Sequence, residues 1–252
     1  MLLLGRWHDQ TLDWSADLYA SANLLTVRMG AAMSSRESSG SSNQPPTDDE
    51  VRAALDRYRC PVPFHVVRTR FLGRIASPVM APSPMDAVAG LWGGALPAID
   101  GSDTANELMR VLVVGLWTQL EGHLQRNEPF RLMRIQSPAT REGLAGIALM
   151  RKEEVIGFIQ GLFGGQEGLA FPKRACRALE ALAEAGALFN GVYQVTSNPG
   201  KPASVEDIVE TWSHVRELTN VCEREIHEIV LSCTDSRSEL PSSMPAGKPT
   251  LH

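Results

Sequence analysis

The sequence is poor in cysteine and lacks the common motifs of catalytic and metal-binding sites. Cys60, Cys176, Cys222 and Cys233 are the four cysteines among 252 residues, and no two have the C-x-x-C spacing of zinc sites or a disulfide framework. The P-loop motif, the dinucleotide-binding glycine pattern after a strand and the G-x-S-x-G turn are missing too. We therefore predict four reduced thiols, no metal, no cofactor and no catalytic residue that can be named from sequence.

Long hydrophobic runs and a basic charge balance are also missing. Nowhere do about 18 apolar residues follow one another, so the sequence predicts no membrane span. The hydrophobic fraction is 43% and the charged fraction 21%, which is typical of globular proteins. A formal net charge of -5 offers no overall attraction to nucleic acid or to an anionic membrane. We expect a cytoplasmic globular protein.

Polar segments flank a central region of helical patterning. Residues 34–46 are rich in Ser, end in two Pro and predict a flexible linker. We hypothesise that translation starts at Met29 or Met33, so that the first 28 to 32 residues (at most residues 1–32) are a non-native extension. The predicted organisation is a disordered or non-native stretch at residues 1–46, a helical domain at 47–233 and a disordered tail at 234–252.

Helix start and stop signals recur through that central region. Capping boxes and N-cap serines predict five helix starts, at Thr47, Ser83, Thr104, Ser137 and Ser204. Proline and double glycine predict helix ends at Pro61, Gly93-Gly94 and Gly164-Gly165. Gly186 falls on the apolar face of its helix and weakens the helical pattern unless another helix packs closely there. These signals predict separate helices joined by short connections.

Only one segment has a strand-like composition, and it does not change the predicted fold class. Residues 64–75 are rich in β-branched and aromatic side chains, but a single strand cannot make a sheet. We therefore predict an all-α fold, a multi-helix bundle of about six helices with antiparallel neighbours.

Histidine and glutamate occur together on the last predicted helix. Glu210 precedes His214 by four residues, and Glu223 precedes His227 by four, so each pair shares a helix face. Di-iron bundles use a Glu-x-x-His spacing repeated across helices, which is missing. We interpret both as solvated ion pairs, and His65 and His123 as surface or rim histidines.

An arginine cluster suggests a nucleic-acid contact as one alternative. Arg68, Arg70 and Arg74 surround Phe71, and guanidinium groups with an aromatic ring can grip a backbone and stack on a base. In an acidic chain, a solvated or internally paired stretch is the simpler interpretation. The glycine-rich segment 161–168 has neither the Lys nor the hydroxyl of a phosphate-binding loop, so it predicts a helix end.

One glycine-containing segment carries a family resemblance. Residues 154–162 resemble the G-F-[LI]-x-G-[LI] signature of the YecA/YgfB-like family of bacterial helical proteins. Segments 85–94, 179–184 and 205–210 are similar to that family's opening helix, following helix and acidic last-helix start. The match covers residues 84–230 and departs at Glu154, where the family usually has Trp. The resemblance implies an all-α fold and a non-enzymatic, regulatory role, and it implies no substrate.

Two glycines of this signature predict a close helix contact. Gly157 and Gly161 are four residues apart and so lie on one helix face. The missing side chains let a second helix approach, while Phe158 and Ile159 flank the groove. We predict a helix-packing role for Gly157, Phe158 and Gly161.

The leading functional hypothesis is a protein-interaction or regulatory module with a protein partner. An enzyme of unrecognised type, with side chains assembled by the fold, is one alternative. A nucleic-acid-associated factor using Arg68, Arg70 and Arg74 is the other. The partner and the oligomeric state do not follow from the sequence.

Overall fold

The computed structural model describes residues 45–78, 83–97, 102–200 and 204–239, all within one unit that begins at Pro45. The first helices are α1 (Asp48–Arg57), α2 (Phe64–Ala76), α3 (Pro84–Gly90) and α4 (Ser102–Met109). A π-helical segment (Arg110–Trp117) continues α4 into α5 (Thr118–Glu121), and a 3-10 turn (Gly122–Leu124) follows. The long helices are α6 (Arg141–Phe163), α7 (Lys173–Ser197) and α8 (Val205–Glu239). Across these ranges no strand occurs, which confirms the predicted all-α fold.

Three of the predicted helix starts have the expected caps. Before α1, the Glu50 amide donates to Thr47 Oγ1 (3.3 Å) and the Thr47 amide donates to Glu50 Oε2 (2.7 Å), which completes the capping box. Before α3, the Asp86 amide donates to Ser83 Oγ (3.2 Å), and Pro84 occupies the first helical position. Before α8, the Asp207 amide donates to Ser204 Oγ (3.1 Å). All three starts are confirmed, because each cap needs only residues within one turn.

Two other predicted starts are wrong. Helix α4 already begins at Ser102, so Thr104 lies inside its first turn instead of capping it. Helix α6 begins at Arg141, where Thr140 Oγ1 accepts from the Gly143 amide (3.1 Å). Ser137 instead donates from its hydroxyl to the Gly143 carbonyl (3.3 Å). The chain before Thr140 folds back over Gly143, which keeps Ser137 outside the helix.

The segment with strand-like composition is helix α2. Pro63 precedes its first residue in an extended conformation, and side chains around the helix are buried, including Val66, Val67 and Phe71. A helix covered on most sides is apolar all round. The strand-like composition of α2 therefore reflects burial among helices.

Helices α2 and α6 pack against each other more extensively than any other pair in the described ranges. Added Cβ atoms on Gly73 and Gly161 would come closer than 3.0 Å to the carbonyl oxygens of Phe158 and Arg70, and one on Gly157 would lie 2.7 Å from Thr69 Oγ1. The two backbones are therefore in direct contact. We name Gly73, Gly157 and Gly161 the glycine crossing.

The remaining long helices complete the core around α6. Helix α7 packs on both α6 and α8, and an added Cβ on Gly186 would lie 3.3 Å from Val155 Cγ1 of α6. Helix α8 continues to Glu239, beyond the domain end predicted at Cys233. Residues 1–44 and 240–252 lie outside the described ranges, so the predicted extension and the rest of the tail stay predictions. In the part of the chain that the structure describes, no helix is long and apolar enough to cross a membrane.

Candidate functional site

The connection between the 3-10 turn and α6, residues 125–140, is held by two buried glutamates. The Leu132 amide donates to Glu223 Oε1 of α8 (3.1 Å), and the Met133 amide donates to Glu154 Oε1 of α6 (2.8 Å). Phe130 and Leu132 of the same connection are buried in the core. Adjacent backbone amides are therefore fixed by carboxylates from two different helices.

Glu154 forms an ion pair inside the protein with Arg151, one turn earlier on α6. Glu154 is 0% exposed and Arg151 3%, and Arg151 Nη1 pairs with Glu154 Oε2. Arg151 Nη2 also donates to the Met133 carbonyl (2.6 Å). Burial raises the pKa of Glu154, while the Arg151 charge and the Met133 amide act in the opposite direction. Each charge is compensated only by this local set of partners.

Glu223 is the second buried carboxylate, with 2% of its side chain exposed. Arg131 Nη1 lies 2.7 Å from its Oε2, and Arg134 Nη2 lies 3.0 Å from its Oε1. The predicted Glu223–His227 pair is therefore wrong, since His227 Nε2 instead lies 3.2 Å from the Arg126 carbonyl oxygen. The connection offers Glu223 two guanidinium groups and an amide, which a single histidine could not match.

The other predicted pair on α8 is also wrong. Glu210 and His214 are both exposed, and the ion pairs of the described residues do not include them. Exposed pairs at this spacing gain little energy in water, so nothing holds these two side chains together.

A cleft of ≈ 480 Å³ lies near the contacts of Glu154 and Glu223, between the 125–140 connection, α6 and α8. We name it the arginine cleft. Its lining comprises Ile147 and Arg151 of α6, Arg134, Ile135, Gln136 and Ser137 of the connection, and Trp212, Val215, Arg216, Thr219 and Asn220 of α8. As far as the structure describes the chain, this lining contains three arginines and no carboxylate, histidine or cysteine. The cleft therefore offers cations and hydrogen-bond donors for binding.

Two of its arginines keep donors that the described residues leave unused. Arg151 Nε is buried and has no hydrogen-bond partner. Arg216 is exposed and makes no hydrogen bond or ion pair with any residue in the described ranges. A buried donor without a partner costs free energy in the empty state. The exposed Arg216 is the group that would gain from an acceptor in the cleft.

An exposed apolar stripe on α8 leads into the cleft. Val205, Val209, Trp212 and Arg216 follow at intervals of three and four residues, so they lie along one helix face. Val205 is 70% exposed and Val209 55%. Ile135 adds another exposed apolar side chain from the cleft lining. Trp and Arg, the two residues of this stripe that line the cleft, are enriched in protein–protein interfaces.

Arg68, Arg70 and Arg74 do not share one surface. The Arg68 guanidinium lies 4.9 Å from the centre of the Phe130 ring, and its Nη2 approaches the Arg131 carbonyl at 3.5 Å. Burial lowers the pKa of Arg68. This arginine therefore packs against the 125–140 connection.

Arg70 and Arg74 line a second cleft, of ≈ 420 Å³, with Gly161, Gly164 and Asp86 among its other residues. Arg70 Nη2 donates to Gln160 Oε1 (2.5 Å). Arg74 lies against Gly164, the left-handed residue that ends α6, where a cation complements the helix dipole. The contact with the C-terminal end of α6 therefore gives Arg74 a structural role.

The glycine signature lies elsewhere on α6. Gly157 and Gly161 face α2 in the glycine crossing, and Phe158 beside them is fully buried. None of the three lines the arginine cleft. The packing signature and the cleft therefore occupy different parts of one helix.

Two histidines have partners that the sequence does not indicate. His65 Nε2 lies 2.8 Å from Glu153 Oε2, and both side chains are largely buried. His123 Nδ1 lies 2.9 Å from the Glu128 carbonyl oxygen, and its ring contacts Phe130 edge-on. Over the described ranges, no group of three or more His, Cys, Asp and Glu side chains could hold a metal ion.

All four cysteines are free thiols, as predicted. Burial raises the pKa of Cys60 to about 11 and the pKa values of Cys222 and Cys233 to about 12. These three thiols stay protonated at neutral pH, which makes them poor nucleophiles. Cys176 is the exposed one.

The chain matches none of the protein-family models, and no curated protein or solved structure is significantly similar to it.

Proposed function

We propose that this chain is a non-enzymatic protein-interaction module that binds its partner through the arginine cleft and the neighbouring stripe of α8. The observation that carries this proposal is a row on one face of α8, which ends in a cleft lined by three arginines. The row consists of the exposed Val205 and Val209, the partly buried Trp212 and the exposed Arg216. We further propose that the module acts in the cytoplasm. The resemblance to the YecA/YgfB-like family favours the same role.

The 125–140 connection supports the proposal because it makes the cleft rigid. Glu154 and Glu223 fix the backbone directly before Arg134, and Arg134 itself is bound to Glu223. A surface held in one geometry loses little entropy when a partner binds. The contacts of Glu154 and Glu223 therefore lower the entropy cost of binding a partner in the cleft.

The nucleic-acid alternative has less support. Arg68 packs on Phe130, and Arg74 lies at the end of α6. Binding to a phosphate backbone requires several cations along one surface, and these arginines are divided between two places.

Site-specific photo-crosslinking tests the proposal. With a photo-reactive amino acid in place of Val209, we expect one partner to be crosslinked in near-stoichiometric yield in cells. Arg216→Glu should lower that yield strongly, because it reverses a charge at the cleft. Val114, 68% exposed on the π-helical segment, provides the matched control position. Equal crosslinking from Val209 and Val114, or a crosslink yield that is unchanged in Arg216→Glu, would refute this interface.

A further inference from the structure

We propose that the arginine cleft receives an acidic side chain of the partner, carried on a segment that also has apolar residues. This inference rests on the proposed function, because it names the chemistry by which the same surface recognises its partner. The ligand class is therefore an acidic and apolar peptide segment.

The charges in the cleft determine the sign of the ligand. Arg134, Arg151 and Arg216 line it, and none of the described Asp or Glu residues does. Arg134 and Arg151 are already paired with Glu223 and Glu154, so their charges are largely compensated. Among the described residues, Arg216 is the arginine of this lining without an ion-pair partner, and a carboxylate is a group that pairs strongly with arginine in proteins.

The unused donors indicate where such a carboxylate is stabilised. Arg151 Nε is buried and unpartnered in a residue that is 3% exposed. Its other two nitrogens are engaged with Glu154 and the Met133 carbonyl. Those bonds hold the Arg151 guanidinium in one position in the cleft lining. Glu154 and Glu223 already show that carboxylates are the partners of arginine in this part of the fold.

The rest of the lining favours a peptide over a free anion. Ile147 and Val215 are buried side chains in the cleft, and the partly buried Trp212 contributes an indole ring. The volume of ≈ 480 Å³ exceeds what a single phosphate or carboxylate group fills. An acidic residue with an apolar neighbour would occupy both the cationic and the apolar parts.

A peptide titration followed by NMR tests this inference. The probe is a short synthetic peptide of alternating leucine and glutamate, added to the full chain. We expect the side-chain Nε–H signals of Arg151 and Arg216 to shift on binding. Arg216→Gln should weaken the peptide by about tenfold or more, the typical effect of losing one charged hydrogen-bond partner. Arg177→Gln, at an exposed arginine of α7, should leave the affinity unchanged.

Several results would overturn the inference. The same peptide with glutamine in place of glutamate could bind equally well, which would exclude carboxylate recognition. Inorganic phosphate could produce the same shifts and resist displacement by the peptide, which would make the cleft a small-anion site. A single-stranded oligonucleotide could bind more tightly than the peptide, which would favour nucleic acid.

The outcomes also separate this inference from the proposed function. If crosslinking from Val209 persists unchanged in Arg216→Gln, the proposal of a protein partner stands and the proposed acidic contact with Arg216 is refuted. Peptide binding lost in Arg216→Gln, with no crosslinked partner in cells, would support the carboxylate site while the proposed function fails.

Discussion

The two halves of α6 pack in opposite ways. In its second half, Gly157 and Gly161 bring the backbone into direct contact with α2, and the contact has no room for a side chain. In what we call its charged half, the part that ends at Glu154, Arg151 and Glu154 are buried charges that bind the 125–140 connection. One helix therefore supports a tight backbone contact at one end and a polar wall of a cleft at the other.

This difference shows how a stable helix can present a binding surface. Close backbone contact leaves nothing for a ligand, because every neighbouring atom is already packed. A buried ion pair fixes position but leaves directional donors, such as Arg151 Nε, at its edge. The glycine crossing contributes rigidity, and the charged half contributes recognition.

The largest expected effect comes from removing one charge of the buried pair. Glu154→Ala should lower the free energy of unfolding by about 3–5 kcal/mol, because Arg151 is left buried without its carboxylate. Urea denaturation measures this. Glu180→Ala, at an exposed glutamate of α7, should change stability by less than about 0.5 kcal/mol. If the two variants were equally stable, the charged half of α6 would not hold the fold together.

The next effect tests the glycine half. Gly161→Ala should destabilise by about 1–3 kcal/mol, because the new methyl group would overlap the Arg70 carbonyl. Gly146→Ala is the matched control on the same helix, where an added Cβ meets nothing within 4 Å. That control should stabilise by about 0.5–1 kcal/mol, since alanine is the better helix former. A stabilising Gly161→Ala would mean that the crossing is looser than described.

A pH series sharpens the description of the charged half. Because burial raises the pKa of Glu154, the folded protein takes up this proton at a higher pH than the unfolded chain does. Protonated Glu154 therefore contributes its full stabilisation at pH values below 4.5, the ordinary pKa of this group. This stabilisation is lost as the pH rises through the raised pKa of Glu154 in the folded protein. As the pH falls from neutral toward 4.5, the wild type should gain stability relative to Glu154→Gln. A constant difference across that range would contradict the raised pKa.

The smallest expected effect on stability is that of Arg216→Ala. Arg216 is exposed and has no partner in the described ranges, so the free energy of unfolding should change by less than about 0.5 kcal/mol. Thermal or urea unfolding would check this. A large loss would assign Arg216 to the fold and leave the cleft without an uncompensated cation.

Local signals in the sequence predict the helix ends that depend on local contacts. Three such signals each act within one turn: the caps at Thr47 and Ser83 and the left-handed Gly164. A short stretch of sequence is therefore enough to predict these helix ends. Ser137 was a misleading signal, because the choice between it and Thr140 depends on how the chain folds back over Gly143. Composition misled for α2, since burial on most sides of a helix and strand propensity favour the same residues.

The cleft could not be predicted because its partners are far apart in sequence. Glu154 and Glu223 bind backbone amides of Met133 and Leu132. Because every residue except proline has a backbone amide, the residue type does not show which amide is bound. The available signal was Arg151 and Glu154, three residues apart between apolar residues of α6. Charges in an apolar helical pattern indicate a buried network, although they do not identify its partner.

The account can be tested most directly by competition at Val209. The alternating leucine–glutamate peptide is added to the protein carrying the photo-reactive residue at this position, together with the natural partner. We predict that the crosslink yield falls with peptide concentration and that the glutamine version has no effect. A yield that stays constant while NMR shows the arginine cleft to be saturated with peptide would contradict the account.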